Sequence, residues 1–442
     1  MITAIVTSDN HLGAFYARLR PDRLEQRRRA LQQAFERVVD AAVDRRVDLF
    51  LHAGDLFDRP DPRNAERLFV ARQVRRLNEA GIPIVTIAGN HDSPRSFGYD
   101  GGVLPQEELA ALGAISLLRN TDAFESHTLE IKDQRVCVRG MSSDFNWPAG
   151  ACPLGECVLP QARGGDIDLV LLHYGVQGWM QPQAQEQEPC LSLDNLNQLP
   201  ADAICVGHLH ARQQKRLDSG ALLLNPGATE HIHFGEERQE CGFWLLRLEP
   251  GHAEAEYVEL TSQPMRTLKL DVTDTPHPPP SPLPLPSLGE GGGDRSNNVS
   301  SPISPLPELG EGPGVRAIPA DLTQNLLTDI EEVSQPDQLL RVRITGRLKR
   351  ERFHELDLTA LLTRGNELNF SCQLDTDELT IYDETADLPL GYGVSFDVGE
   401  ELQNTTDALA DAYRDDPHEQ QICRLAGHEL ALAYDRLTKG AR

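Results

Sequence analysis

Long apolar runs are missing from this 442-residue chain. No stretch approaches the roughly 18 consecutive apolar residues that cross a bilayer, so no membrane partner is expected. Paired cysteines are missing too. Cys137, Cys152, Cys157, Cys190, Cys205, Cys241, Cys372 and Cys423 form no Cys-x-x-Cys unit, which argues against thiolate zinc and dithiol redox motifs and reads as a reduced, cytoplasmic thiol set. The opening Met-Ile-Thr-Ala-Ile-Val-Thr-Ser has no basic n-region or cleavage site and reads as a strand. Aromatic content is low, at 5%. Positive charge is scarce: 42 Lys and Arg face 68 Asp and Glu, a net −26. That speaks against a general nucleic-acid coat, because Lys and Arg drive phosphate binding.

The deficit is uneven. Residues 1–100 hold 16 Arg, no Lys and 14 acids, a balance of +2, whereas residues 321–442 hold 12 basic residues against 25 acids, a balance of −13. The acidity therefore belongs to the far end of the chain. Bound divalent ions would further offset any carboxylates in a site near the start.

The length suits two or three domains. Residues 1–272 alternate apolar strands with helical patterns, as in Ile2 to Ser8, Arg23 to Arg46, Val47 to His52, Arg63 to Ala80 and Ile82 to Ile87. Such strands, buried on both faces, predict an α/β fold, a layered β-sandwich flanked by helices. Residues 273–318 read as a disordered linker. Within them, 276–314 carries 11 Pro and 7 Gly, with Ser-Pro-Leu-Pro and Leu-Gly-Glu-Gly each occurring twice. Residues 319–398 predict a small α+β unit. Residues 399–442 turn helical, with Ile422, Leu425, Ala426, Leu430, Ala433, Tyr434 and Leu437 on one face.

Five polar clusters, each following an apolar strand, carry the chemistry: Asp9 with His11, Asp55, Asn90 with His91, His173, and His208 with His210. Open α/β sheets place their sites at strand carboxyl ends. Asp-x-His and His-x-His each put two side chains on one side of an extended segment. Gly54 permits a tight turn before Asp55, which can serve two ions with one oxygen each. Carboxylate, amide and imidazole donors without thiolate suit manganese, iron or zinc. Two such ions about 3.5–4 Å apart form the usual clamp for phosphoester hydrolysis. His91 is the candidate catalytic acid, oriented by Asp58 or Asp92. His52, His231 and His233 lack this setting and read as structural or peripheral.

The ordered series Asp-x-His, Gly-Asp, Gly-Asn-His-Asp, His and Gly-His-x-His resembles the calcineurin-like metallophosphoesterase superfamily. Ser8-Asp-Asn-His-Leu-Gly13, Gly54-Asp-Leu-Phe57 and Asn225-Pro-Gly-Ala-Thr-Glu-His-Ile-His-Phe-Gly-Glu236 resemble the SbcD/YhaO-like DNA repair exonucleases, the MRN-complex nuclease family. That resemblance implies one ion held by Asp9, His11, Asp55 and His210, and another by Asp55, Asn90, His173 and His208, with Mn2+ preferred. It also implies DNA as substrate, exonuclease and single-strand endonuclease activity, a homodimer, an SbcC-like ABC-type coiled-coil ATPase partner and a nucleoid location. The small unit would be a capping domain, and the C-terminal helices would bind the ATPase. Asp58 stands where archaeal relatives place a second catalytic histidine. A small-molecule cyclic phosphodiesterase and a non-catalytic repair scaffold are the alternatives. Arg18, Arg20, Arg59 and Arg95 are candidate phosphate contacts.

Overall fold

The computed structural model describes residues 1–16, 19–95, 102–144, 146–273 and 322–382, together with 406, 420, 424–427 and 430. Arg18, nearly all of the linker 273–318 and most of the helical region 399–442 lie outside these residues. Met1–Ile381 forms one compact unit and Tyr382–Arg442 a second.

Two six-stranded sheets make the body of the first unit. One contains four parallel strands, β1 (Ile2–Thr7), β2 (Leu49–Ala53), β3 (Ile84–Ile87) and β4 (Ser116–Leu118). The other is built from β5 (Glu125–Ile131), β6 (Gln134–Gly140) and β7 (Ile167–His173). After the short ladder of β8 (Gly175–Val176) with β9 (Cys190–Leu191), it is completed by β10 (Ala203–Gly207), β11 (Gln213–Arg216) and β12 (Leu222–Asn225). The chain then returns to the first sheet, where β13 (Cys241–Glu249) lies antiparallel to β1 and pairs with β14 (His252–Leu260). The strand orders are β14-β13-β1-β2-β3-β4 and β11-β12-β10-β7-β6-β5.

Alternation along each strand explains why the sheets are layered. Ile2, Ala4 and Val6 point one way and join Leu49, Leu51, Leu169, Leu171 and Cys205 in a core between the sheets. Ile5, Phe50 and Ile84 point the other way and pack on Leu31, Phe35, Val38 and Val74, which lie on the helices Pro21–Asp44 and Asn64–Glu79. Val170, Leu172 and Ile204 do the same on the outer face of the second sheet, with Leu154, Leu191 and Leu196. The strands are thus covered on both faces, and their near-continuous apolar sequences follow. The α/β layered sandwich expected from the sequence is the fold observed.

One boundary differs from the sequence reading. β15 (Met265–Asp271) does not close the large sandwich. It pairs in parallel with β16 (Leu339–Lys349), which pairs in parallel with β17 (Ser371–Asp375) and also carries β18 (Leu379–Tyr382). The small sheet, covered by helices Leu322–Val333 and Leu358–Leu368, therefore begins at Met265 rather than at 319. Its first strand precedes the Pro/Gly-rich stretch, a pairing across some 70 residues that no local pattern announces. Leu19, Met265, Leu339 and Phe370 pack together where the small sheet meets the sandwich.

Leu171 lies wholly within the intersheet core, whereas Val158 is 88% exposed. Leu171→Ala is expected to cost about 2–5 kcal/mol and Val158→Ala no more than about 0.5 kcal/mol, read from urea unfolding midpoints by tryptophan fluorescence. Equal midpoints would contradict the layered core.

Candidate metal centre

The parallel strands of both sheets end on one rim, and the loops leaving them are tied together by their backbones. Asp9 N donates to Gly54 O at 3.0 Å, Asn10 N to Asp55 O at 2.9 Å and Leu12 N to Leu56 O at 3.0 Å, so the loops after β1 and β2 run side by side. Asn10 Nδ2 reaches Thr229 Oγ1 at 3.0 Å, which pins the first loop to the stretch before β13.

The turns are tight. Asp9, His11, Asp55 and His208 all have left-handed backbones, with φ of 51°, 45°, 55° and 98°. Such conformations cost a non-glycine residue of order 1–3 kcal/mol. Only three other described non-glycine residues share them, so the strain is concentrated on this rim. Two glycines let the segments approach. A Cβ on Gly89 would strike the Asp55 carboxylate and amide, and one on Gly207 would strike Ala53 O and the His173 ring.

Two donor sets converge around Asp55. Asp55 Oδ2 lies 3.7 Å from His11 Nε2 and 3.1 Å from His173 Nε2. On one side, His11 Nε2 is 3.1 Å from His210 Nε2, which is 4.0 Å from Asp9 Oδ1. On the other, Asn90 Oδ1 is 3.1 Å from His173 Nε2 and 3.0 Å from His208 Nδ1. Donors that bind one cation at about 2.0–2.2 Å stand about 3–3.6 Å from each other, close to these separations. The residues fit two divalent ions. One refinement concerns Asp55: the sequence reading gave each ion its own oxygen, whereas here Oδ2 faces both sets and Oδ1 accepts His91 N at 2.8 Å.

Charge completes the fit. Asp9 and Asp55 are 0% and 1% exposed, and the ionic partners described for them are histidines, without Lys or Arg. Burial alone would push His173 down, but the Asp55 and Asp9 carboxylates outweigh it and raise His173 to about 9. His11, His91 and above all His173 in turn hold Asp55 well below the usual carboxylate range, against its own burial.

Each candidate liganding imidazole is also occupied on its outer nitrogen. His11 Nδ1 is 3.2 Å from Asp58 Oδ1, and His173 Nδ1 is 2.7 Å from Ala53 O. His208 Nε2 is 3.0 Å from Glu188 Oε2, and His210 Nδ1 is 2.5 Å from Glu236 Oε1. Such acceptors fix ring orientation and tautomer at metal sites.

The candidate catalytic residues separate. The His91 side chain is 44% exposed; its Nδ1–H donates to Asp58 O at 3.0 Å, and the Asp58 carboxylate stands 3.8 Å away. Asp92 is a correction. Its carboxylate accepts the Leu56, Phe57 and Gly89 amides, so it ties the Asp55 and Asn90 loops together instead of orienting His91. Burial, followed by the Asp55 charge, pushes its pKa up.

His52 donates to Asn10 Oδ1 at 2.6 Å and is pushed down to about 3 by burial. It is a neutral structural strut. His231 bonds Gln239 O at 3.0 Å. His233, read from the sequence as structural or peripheral, bonds Glu236 Oε1 at 2.9 Å and lies 6.0 Å from the His210 ring, beside the centre. Sequence reasoning missed Glu188 and the part played by Glu236. The latter closes the stretch Asn225 to Glu236, but Glu188 has no motif spacing at all. Arg20 and Arg59 are exposed and pair with Asp22 and Asp61.

Because His173 holds a proton up to about pH 9 in the metal-free protein, loading an ion at neutral pH must expel it. Mn2+ affinity is therefore expected to rise with pH by up to about tenfold per unit between pH 7 and 8.5. Calorimetry in buffers of different ionisation enthalpy should register the released proton, and a pH-independent affinity would contradict the assignment.

Residues 2–212 match the calcineurin-like phosphoesterase family. The DNA double-strand break repair protein Mre11 of Sulfolobus acidocaldarius is 28% identical over 274 residues, 60% of this chain and 65% of that protein. The metallophosphoesterase YhaO of Bacillus subtilis is 27% identical over 240 residues, 54% of each chain. A solved dimetal phosphatase from Danio rerio aligns over 57% of this chain and 98% of its own, with 11% identity and a TM-score of 0.34. The chain spans less than two thirds of the length of these two curated relatives. Residues 2–212 are thus similar to the calcineurin-like phosphoesterase family, and the chain is similar to the Mre11 and YhaO proteins.

Proposed function

We propose that this protein is a metal-dependent phosphodiesterase that cuts DNA in repair. The observation that carries the reading is the single Asp55 oxygen facing two donor sets in a buried pocket whose described ionic contacts include no Lys or Arg. Asp9, His11, Asp55 and His210 would hold one ion; Asp55, Asn90, His173 and His208 would hold the other. Two divalent cations held there would supply Lewis-acid polarisation of the phosphate and acidify the attacking water. Oxygen and imidazole donors without thiolate suit manganese, iron or zinc, and Mn2+ is the ion proposed on the strength of the family resemblance.

The chain's own groups supply the rest. His91 keeps Nδ1–H on a backbone carbonyl and sits at the exposed edge of the centre. Its Nε2 is free of that bond and can carry a proton to the departing sugar oxygen, while the nearby Asp58 carboxylate stabilises the protonated ring. A cavity of about 150 Å³ beside Asn90, His173 and His208, bounded by Tyr174 and Pro189, gives the substrate room next to the second donor set.

The names of the Mre11 relatives support DNA as substrate. The wider reading comprises exonuclease action with single-strand endonuclease activity, an SbcC-like ATPase partner, a homodimer and a cytoplasmic, nucleoid-associated location. It rests on the resemblance in sequence. Among the described residues no helix is long and apolar enough to cross a membrane.

The decisive assay gives purified protein and Mn2+ three substrates: end-labelled duplex DNA, single-stranded DNA and bis-p-nitrophenyl phosphate, with and without an SbcC-like ATPase. DNA cleavage that disappears in Asp55→Ala supports the nuclease. Hydrolysis of the small ester alone would point to a cyclic phosphodiesterase, and no metal-dependent activity in any arm to a scaffold. His91→Ala is expected to keep both ions and lose about 10²–10⁴-fold in turnover; loss of the ions would make His91 a ligand.

A further inference from the structure

His208 and His210 sit two residues apart on one loop, yet they present opposite nitrogens to the metal centre. His208 turns Nδ1 inward, 3.0 Å from Asn90 Oδ1, whereas His210 turns Nε2 inward, 3.1 Å from His11 Nε2. A neutral imidazole has one N–H and one lone pair, and only the lone pair binds a cation. The two rings must therefore be held in opposite tautomers.

The outer nitrogens show how. Glu188 Oε2 stands 3.0 Å from His208 Nε2, and Glu236 Oε1 stands 2.5 Å from His210 Nδ1. Neither glutamate belongs to the five clusters that supply the ligands. We propose that Glu188 and Glu236 are positioning residues, each accepting the N–H of one imidazole so that the remaining lone pair is confined to the inward nitrogen. Glu188 thereby governs the ion held with Asn90 and His173, and Glu236 the ion held with Asp9 and His11.

The two acceptors differ in setting. The Glu236 side chain is 2% exposed and also accepts Ile232 N at 2.6 Å and His233 Nε2 at 2.9 Å. It is held from three directions. The Glu188 side chain is 37% exposed, follows the short helix Pro182–Gln187, and has His208 as its described side-chain partner. A half-solvated acceptor with one bond orients a ring less firmly than a buried one with three. The ion at His208 is accordingly expected to be the more weakly held.

The inference rests on the two-ion reading above and is independent of DNA as substrate. Its test is Mn2+ titration of the full chain, followed by calorimetry and by electron paramagnetic resonance, which separates a coupled ion pair from a single ion. Glu188→Ala should leave one binding step at wild-type affinity, weaken the other about 10–100-fold, and replace the coupled signal with that of an isolated ion. Glu188→Gln keeps a carbonyl acceptor for Nε2–H and should restore most of the loss. Adding Glu188→Ala to His208→Ala should weaken binding no further than His208→Ala alone.

Glu236→Ala should weaken the other step, with Glu236→Gln milder. Thermal unfolding of the metal-free variants separates this effect from loss of the fold. Two ions bound by Glu188→Ala with both steps unchanged would overturn the proposal. So would equal weakening of both steps, or no rescue by Glu188→Gln. Fewer than two ions on the wild-type chain would instead overturn the two-ion reading itself.

Discussion

Two carboxylates buried without Lys or Arg among their described ionic contacts are the constraint around which this molecule is arranged. An ionised carboxylate removed from water is strongly unfavourable unless positive charge and hydrogen bonds replace its hydration. Asp9 has Ser8 Oγ and the His208 amide as donors, and Asp55 has the His91 amide. Hydrogen bonds cover part of that need, and cationic charge must supply the rest. In the metal-free protein the His173 imidazolium provides some of it, which is why its proton is held to about pH 9. Two divalent cations would provide it more fully and displace that proton. Burial, imidazole protonation and metal affinity are thus three expressions of one electrostatic requirement.

The sandwich meets this requirement through direction. Parallel strands in two facing sheets bring β1, β2, β3, β7 and β10 to a common rim, so residues far apart in sequence arrive from both layers. Left-handed backbones at Asp9, His11, Asp55 and His208 then turn the side chains inward, and Gly89 and Gly207 let neighbouring segments close to van der Waals contact. Strain of this kind persists only where the surrounding structure over-determines it. Here the surroundings are the paired loop backbones, the Asp92 carboxylate bridging three amides, and the His52–Asn10 strut.

How much of this was legible in sequence follows from the range of the interactions. The layered fold could be read because strands buried on both faces are apolar throughout, and because each ligand cluster follows such a strand. The convergence of the candidate ligands could be anticipated in part because Asp-x-His, Gly-Asn-His-Asp and Gly-His-x-His put polar side chains at fixed local spacings after strands. What lay beyond local spacing escaped. Asp92 reads like a partner for His91 because it is adjacent in sequence, but a side chain directed at the Leu56 and Phe57 amides serves the fold. Glu188 meets His208 across 20 residues with no motif to mark it. β15 finds β16 across the whole Pro/Gly-rich stretch.

The same long-range pairing links the small sheet to the metal centre. β15 and β16 present Met265 and Leu339 to Leu19 and Phe370, with Tyr16, Leu24 and Phe234 packed against them. The Arg341 guanidinium lies 5.0 Å from the centre of the Phe234 ring. Phe234 opens the single turn Phe234–Glu236, and that turn ends in the carboxylate that holds His210 and His233. Its position is therefore fixed from two directions, by imidazoles on the side of the centre and by the small sheet on the other. A shift of the small sheet against the sandwich cannot leave Phe234 in place without giving up the Met265 and Leu339 contacts. It cannot carry Phe234 along without moving the Glu236 carboxylate that bonds His210. In this architecture the packing of the small sheet is part of the geometry of the site.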